Sequence, residues 1–218
     1  MNNEFKLVYC NDDASKITNY LLNNDKYPFH NKRMRLMILS STDQNLIDVL
    51  NEIFVVSNIF IYHNYLIMFY LDDFENLMDV INSISFELGI KLKINNGIYI
   101  TKTTPGNKII QYIDYIIDYL NNTSLVYTDI ISPIVKKDDE YLNYFKEEIL
   151  PLVIKDALTK DIILTYFKLD LNVLKTSKML YINRNSLIKK LDLIYKTTGV
   201  NLQKFEHASM IYLLMSDN

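Results

Sequence analysis

The chain has 218 residues, 49% of them hydrophobic, with four glycines, four prolines and a formal net charge of −3. That is long enough to bury one large or two small cores, and too apolar for long disordered tails. One cysteine, Cys10, excludes a disulfide framework or a cysteine-rich metal site and points to a reducing cytosol, so a cytoplasmic location is expected.

No cationic start followed by a long apolar run opens the chain, so no signal peptide is expected. Residues 1–32 stay unassigned: 5–10 suit a short strand, 14–22 a short helix and 23–31 a polar loop in which His30 is exposed. From 33 onward the order is informative. Residues 34–39 read as a strand and 43–54 as a helix with Leu46, Ile47, Leu50, Ile53 and Phe54 inward. The nineteen residues 53–71 lack any charged side chain, the length of a membrane span. Ser57, Asn58, His63 and Asn64 interrupt them, however, and two strands, 55–62 and 65–71, joined at His63-Asn64 explain them better; no membrane partner is expected.

A helix over 74–88 repeats apolar residues at Leu77, Val80, Ile81, Ile84 and Leu88 and stops at Gly89. A strand comes next over 90–101, then a helix over 105–121 and a short strand over 125–128. Tyr112, Tyr115 and Tyr119 share one face of that helix, suited to core or dimer packing. This βαββαβ order with an appended helix and strand predicts an α+β domain over 33–134, its sheet mostly antiparallel.

After the charged run 136–140, a solvated linker or helix start, residues 136–218 read as all-helical. The helix over 141–158 bends or restarts at Pro151, 161–169 braces the two helices after it, and 202–215 closes the domain. Residues 160–218 hold nine Lys/Arg against five Asp/Glu, a net +4, which leaves −7 for residues 1–159. An acidic body with a basic end suits a DNA-reading module attached to something that does not touch DNA.

The stretch 172–199 reads as two helices, 173–180 and 184–195, with Tyr181-Ile182-Asn183 between them and Gly199 as a left-handed stop. At 100° per residue, Leu187, Leu191 and Ile194 form one stripe, with Asn185, Ser186, Lys189 and Lys196 opposite. A short helix, a tight turn and a second helix with an apolar back and a cationic front predict a helix-turn-helix reader of double-stranded DNA. Asn185, Ser186 and Lys189 are the candidates for base edges, and Lys178, Arg184, Lys190 and Lys196 those for phosphates.

Asn172, Val173, Thr176, Ser177, Leu180, Ile182, Arg184, Asn185, Ser186, Leu187, Leu191, Ile194, Thr198 and Gly199 also carry a pattern. It resembles the C-terminal helix-turn-helix of the PucR/CdaR-type bacterial transcription regulators. Ile188, Lys189, Asp192 and Leu193 depart from it, where the family usually has Arg and Tyr and then more Arg. The element order from 33 to 134, with its N-G-I-Y-I strand leading into the helix at 109–120, is similar to the degenerate GGDEF-like domain that precedes the helix-turn-helix in CdaR-type regulators. An active cyclase of that kind would carry its acidic signature at the hairpin, where this chain has Tyr62-His63-Asn64-Tyr65. Neither close backbone approach nor a Mg²⁺-holding carboxylate is available there.

The expectation is therefore a homodimeric, non-enzymatic transcription regulator whose first domain dimerises or senses an unspecified small-molecule effector. No cofactor, catalytic residue or metal is expected, since His30, His63 and His207 share no ligand spacing. The alternative is a protein-interaction regulator whose helix-turn-helix no longer reads DNA, suggested by the modest positive charge and by Leu193 on the outer side.

Overall fold

The computed structural model describes residues 5–10, 14–29, 33–54, 57–71, 77–135 and 139–216. The expectations for His30 and for the linker at Lys136-Lys137 fall outside these residues. The chain divides into two compact units, Met1–Ile130 and Ile131–Asn218.

The first unit is a six-stranded sheet with helices on both faces. Its elements are β1 (Lys6–Cys10), α1 (Ala14–Asn23), β2 (Met34–Leu39), α2 (Gln44–Ile53), β3 (Ser57–Tyr62), β4 (Tyr65–Tyr70), α3 (Leu77–Leu88), β5 (Ile94–Ile100), α4 (Gly106–Asn122) and β6 (Tyr127–Asp129). The sheet order is β1-β3-β4-β2-β5-β6. Every pairing is antiparallel except β5 with β6. The apolar run that could have been a membrane span is the β3–β4 hairpin, Tyr62 opposite Tyr65. His63 and Asn64 both hold positive φ, 48° and 63°, the two-residue turn whose twist matches the flanking strands. No helix among the described residues is long and apolar enough to cross a membrane.

Alternation along the strands sorts the core into two layers. Met37, Leu39, Met68 and Tyr70 pack with Leu46, Leu50, Ile81 and Ile84 of α2 and α3. On the other face lie α4, with Ile109, Tyr112, Ile113 and Ile116 buried, and α1, with Ile17, Tyr20 and Leu21 buried. Tyr112 and Tyr119 belong to this core, and Tyr112 donates to Asn95 Oδ1 at 2.8 Å. The segment left unassigned from sequence joins the first unit through β1, which pairs with β3, and through α1, which packs on α4. Gly89 ends α3 with φ +64°, as expected of a left-handed stop.

Gly106 is where α1 meets the start of α4. Its N–H donates to Asn24 Oδ1 at 2.7 Å, and the Tyr20 hydroxyl donates to the Thr104 carbonyl. A Cβ on Gly106 would overlap the Tyr20 backbone carbonyl, which no side-chain rotation relieves. Gly106→Ala should cost about 1–3 kcal/mol by forcing the helices apart. Urea unfolding that places the variant level with the parent would show that the helices do not need this close approach.

The second unit is helical: α5 (Ser132–Val135), α6 (Asp139–Tyr144), a π-helical turn (Phe145–Ile149), α7 (Leu150–Val153), α8 (Ala157–Lys168), α9 (Val173–Met179), α10 (Arg184–Thr198) and α11 (Phe205–Ser216). The π turn lies just before Pro151, which sits in the first turn of α7. Proline brings no N–H and its ring crowds the carbonyl four residues back, so the ladder widens and Leu150 N–H donates to Phe145 O. Tyr141, Phe145, Val153, Ile163, Tyr166, Leu187, Leu191, Leu202 and Ile211 form the interior.

Candidate nucleic-acid interface

Three capping events position the reading elements. Asp156 caps α8, accepting from Thr159 N–H at 2.7 Å. Asn172 caps α9, accepting from Lys175 N–H at 2.9 Å. Asn183 caps α10, its Oδ1 accepting from Asn185 N–H at 2.8 Å and Ser186 N–H at 3.4 Å. Each asparagine or aspartate satisfies donors that the first helical turn leaves orphaned. The cap role of Asn183 was readable from an Asn immediately before the periodic run.

The turn between α9 and α10 is a Schellman closure. Ile182 N–H donates to Ser177 O at 3.0 Å and Tyr181 N–H to Lys178 O at 3.3 Å. The left-handed position, φ 53°, is held by Tyr181 and not by glycine. A non-glycine residue there costs roughly 1–2 kcal/mol, so the rest of the turn must hold it. Thr176 and Ser177 are buried on the inner side of α9, and Ile182 is half-buried in the angle between the helices. α9 ends at Met179, one residue short of the expected bound, and α10 runs three residues past Tyr195. Gly199 closes α10 at φ +85°, its N–H donating to Tyr195 O at 2.7 Å.

On α10, Leu187, Leu191, Ile194 and Thr198 are buried. Arg184, Asn185, Ser186, Lys189 and Lys196 are exposed on the other side, and Lys178 is exposed at the end of α9. Lys190 is placed differently: it is half-buried, and its ammonium acts on Asp156. The Thr159 hydrogen bond is the main cause that holds the Asp156 carboxyl below its usual value, and Lys190 and Lys155 add to it. Leu193 is 58% exposed and Tyr181 97% exposed, two large side chains on the outer surface of the same helix pair. His207 is buried and its Nδ1 accepts from Asn201 N–H at 3.1 Å, a structural task. Among the described residues no three His, Cys, Asp or Glu side chains cluster as a metal site would require.

A buried stripe on α10, a capped α9 crossing behind it and a closed turn between them define a helix-turn-helix domain. More narrowly, residues 161–216, within the second unit, match the family model of the PucR C-terminal helix-turn-helix domain. Among curated proteins no sequence matches the chain. Its fold is similar to a solved structure, the regulator of polyketide synthase expression from Bifidobacterium adolescentis, at 11% identity and a TM-score of 0.40, covering 92% of this chain and 89% of that one.

Proposed function

We propose that the chain is a DNA-binding transcription regulator that enters the major groove with the start of α10. The observation that carries this is the exposed face Arg184, Asn185, Ser186, Lys189 and Lys196, set over the buried Leu187-Leu191-Ile194 stripe inside the matched domain. Asn185, Ser186 and Lys189 meet base edges, while Arg184, Lys178 and Lys196 reach phosphates. Lys190, whose charge also acts on Asp156, serves the phosphates from the flank. The protein works as a homodimer in the bacterial cytoplasm, since two modules of +4 are needed for useful affinity.

The α+β unit, proposed as residues 33–134 with the helical domain from 136, is a degenerate GGDEF-like domain that dimerises or senses an effector and does no chemistry. At the hairpin tip, Tyr62 donates to Asp114 Oδ1 at 2.9 Å and Tyr65 to Asn121 Oδ1 at 2.7 Å, both on α4. Burial raises both phenols above their ordinary pKa, so they stay neutral donors. Side chains engaged in fastening the hairpin to α4 support a structural role there.

Fragmented genomic DNA should be retarded by the full chain at low salt, with a subset of fragments still bound at moderate salt. Incubation with GTP or ATP and Mg²⁺ should give no cyclic product. No retardation even at low salt would sink the DNA reading and favour the interaction-protein alternative; turnover would overturn the non-catalytic assignment.

A further inference from the structure

α11 carries apolar side chains on two sides. Ala208, Ile211, Leu214 and Met215 face the interior of the unit, yet Phe205 is 74% exposed, Leu213 57% and Tyr212 47% on the outside. A helix with two apolar sides is normally covered on both. Between this outer side and the end of α8 runs an open groove of ≈ 470 Å³, with Phe167, Leu171 and Ala208 in its lining. Phe167 and Tyr212 meet edge to face across it at 6.1 Å.

The wall at the α8–α9 turn is held in an uncommon backbone. Asp170 and Leu171 are consecutive left-handed residues, each with φ 57°, closed by Leu171 N–H donating to Tyr166 O at 3.0 Å. That conformation places the half-buried Leu171 in the groove, at a cost that ordinary surface turns avoid. Lys168 and Asp170, one cation and one anion, also line it; both are exposed, and neither has an ion-pair partner among the described residues.

We infer that a second copy of this chain covers the α8–α11 groove, the two copies related by a two-fold axis. The inference rests on the proposed dimeric DNA reader and adds the surface it uses. The rim charges decide for a second copy. In an isologous contact a surface meets itself, so residue i faces j and j faces i. A rim with one Lys and one Asp is complementary to its own two-fold image, Lys168 to Asp170 and Asp170 to Lys168. The exposed Phe205 and Leu213 line the outer side of the groove, where a protein surface can cover them. None of the exposed α10 residues lines the groove, so pairing here leaves the reading face free.

The test uses the full chain with Leu213→Cys in a Cys10→Ser background and a short bismaleimide. The parent should give a covalent dimer. Adding Lys168→Asp or Asp170→Lys, each folded by circular dichroism, should lower the cross-linking rate on the order of tenfold, since two surface attractions become repulsions. An equimolar mixture of the two variants should restore it. In the mixed pair the all-acidic rim of one copy meets the all-basic rim of the other. No covalent dimer from the parent, or single variants that cross-link as fast as the parent, or a mixture no faster than either alone, would overturn the inference. DNA retardation of the parent is measured in parallel: shifted DNA without cross-linking removes this surface alone, while loss of both removes the DNA reading.

Discussion

Leu191→Ala should unfold the second unit and leave the sheet of the first intact. Leu191 is 1% exposed at the centre of α10, between Leu187 at 0% and Ile194 at 7%, on the side where α7 packs. Removing most of a leucine side chain from such a site costs about 2–5 kcal/mol, transfer and cavity together. A small domain has roughly 5–15 kcal/mol in total, and this one also carries left-handed Asp170, Leu171 and Tyr181. Ile194→Val, which removes one methylene from the same stripe, should cost only about 0.5–1.5 kcal/mol and stay folded. Hydrogen exchange read peptide by peptide separates the units. Protection should vanish from α8 to α11 in the alanine variant while β4, whose six residues are all buried, keeps it. Full protection across α10 in Leu191→Ala would mean that this stripe is not the keel of the domain.

How much of this was legible depended on how local its cause was. The stripe of α10 and Gly199 were readable because helical period and a left-handed stop are written into adjacent residues. The hairpin was readable for the same reason, although His63-Asn64 does the work that Asn-Gly usually does. The strand expected over 90–101 shrinks to β5, Ile94–Ile100, with all seven residues buried. Helices cover both faces of that strand, so alternation marked neither its face nor its ends. Residues 5–10 were legible as a strand, now β1, but not their place in the sheet, because the partner, β3, lies some fifty residues away.

The π turn before Pro151 arises from a steric clash along the ladder; proline alone announces a break and not its form. At the candidate interface, exposure of Asn185, Ser186, Lys189 and Lys196 followed from helix geometry alone. The effect of the Lys190 charge on Asp156 did not, since the two residues are far apart in the chain and only the fold brings them near.

Asn185→Ala and Lys189→Ala should each lower the preference for a selected DNA site over random duplex while the protein stays folded. Asn185 and Ser186 stand in the first turn of α10, the part of a reading helix that meets base edges, and Lys189 lies one turn on along the same exposed side. Asparagine can bond adenine through two edge atoms and lysine can donate to guanine, each contact worth roughly 1–3 kcal/mol, or about five- to over a hundredfold in preference. Lys196, near the other end of the helix, should behave otherwise. Its loss should weaken selected and random DNA alike and flatten the logarithmic salt dependence by about 0.9, the share of one neutralised phosphate. The backbone donors of Asn185 and Ser186 are satisfied by Asn183, so truncating the Asn185 side chain leaves the cap in place. The assay is selection from random duplexes with the parent, followed by titration of the recovered site and of a scrambled site with each variant at two salt concentrations. Variants at 185 and 189 that keep the parent's preference would move base reading off this face. A Lys196→Ala variant that changes preference but not salt slope would exchange the roles assigned to the two ends of α10.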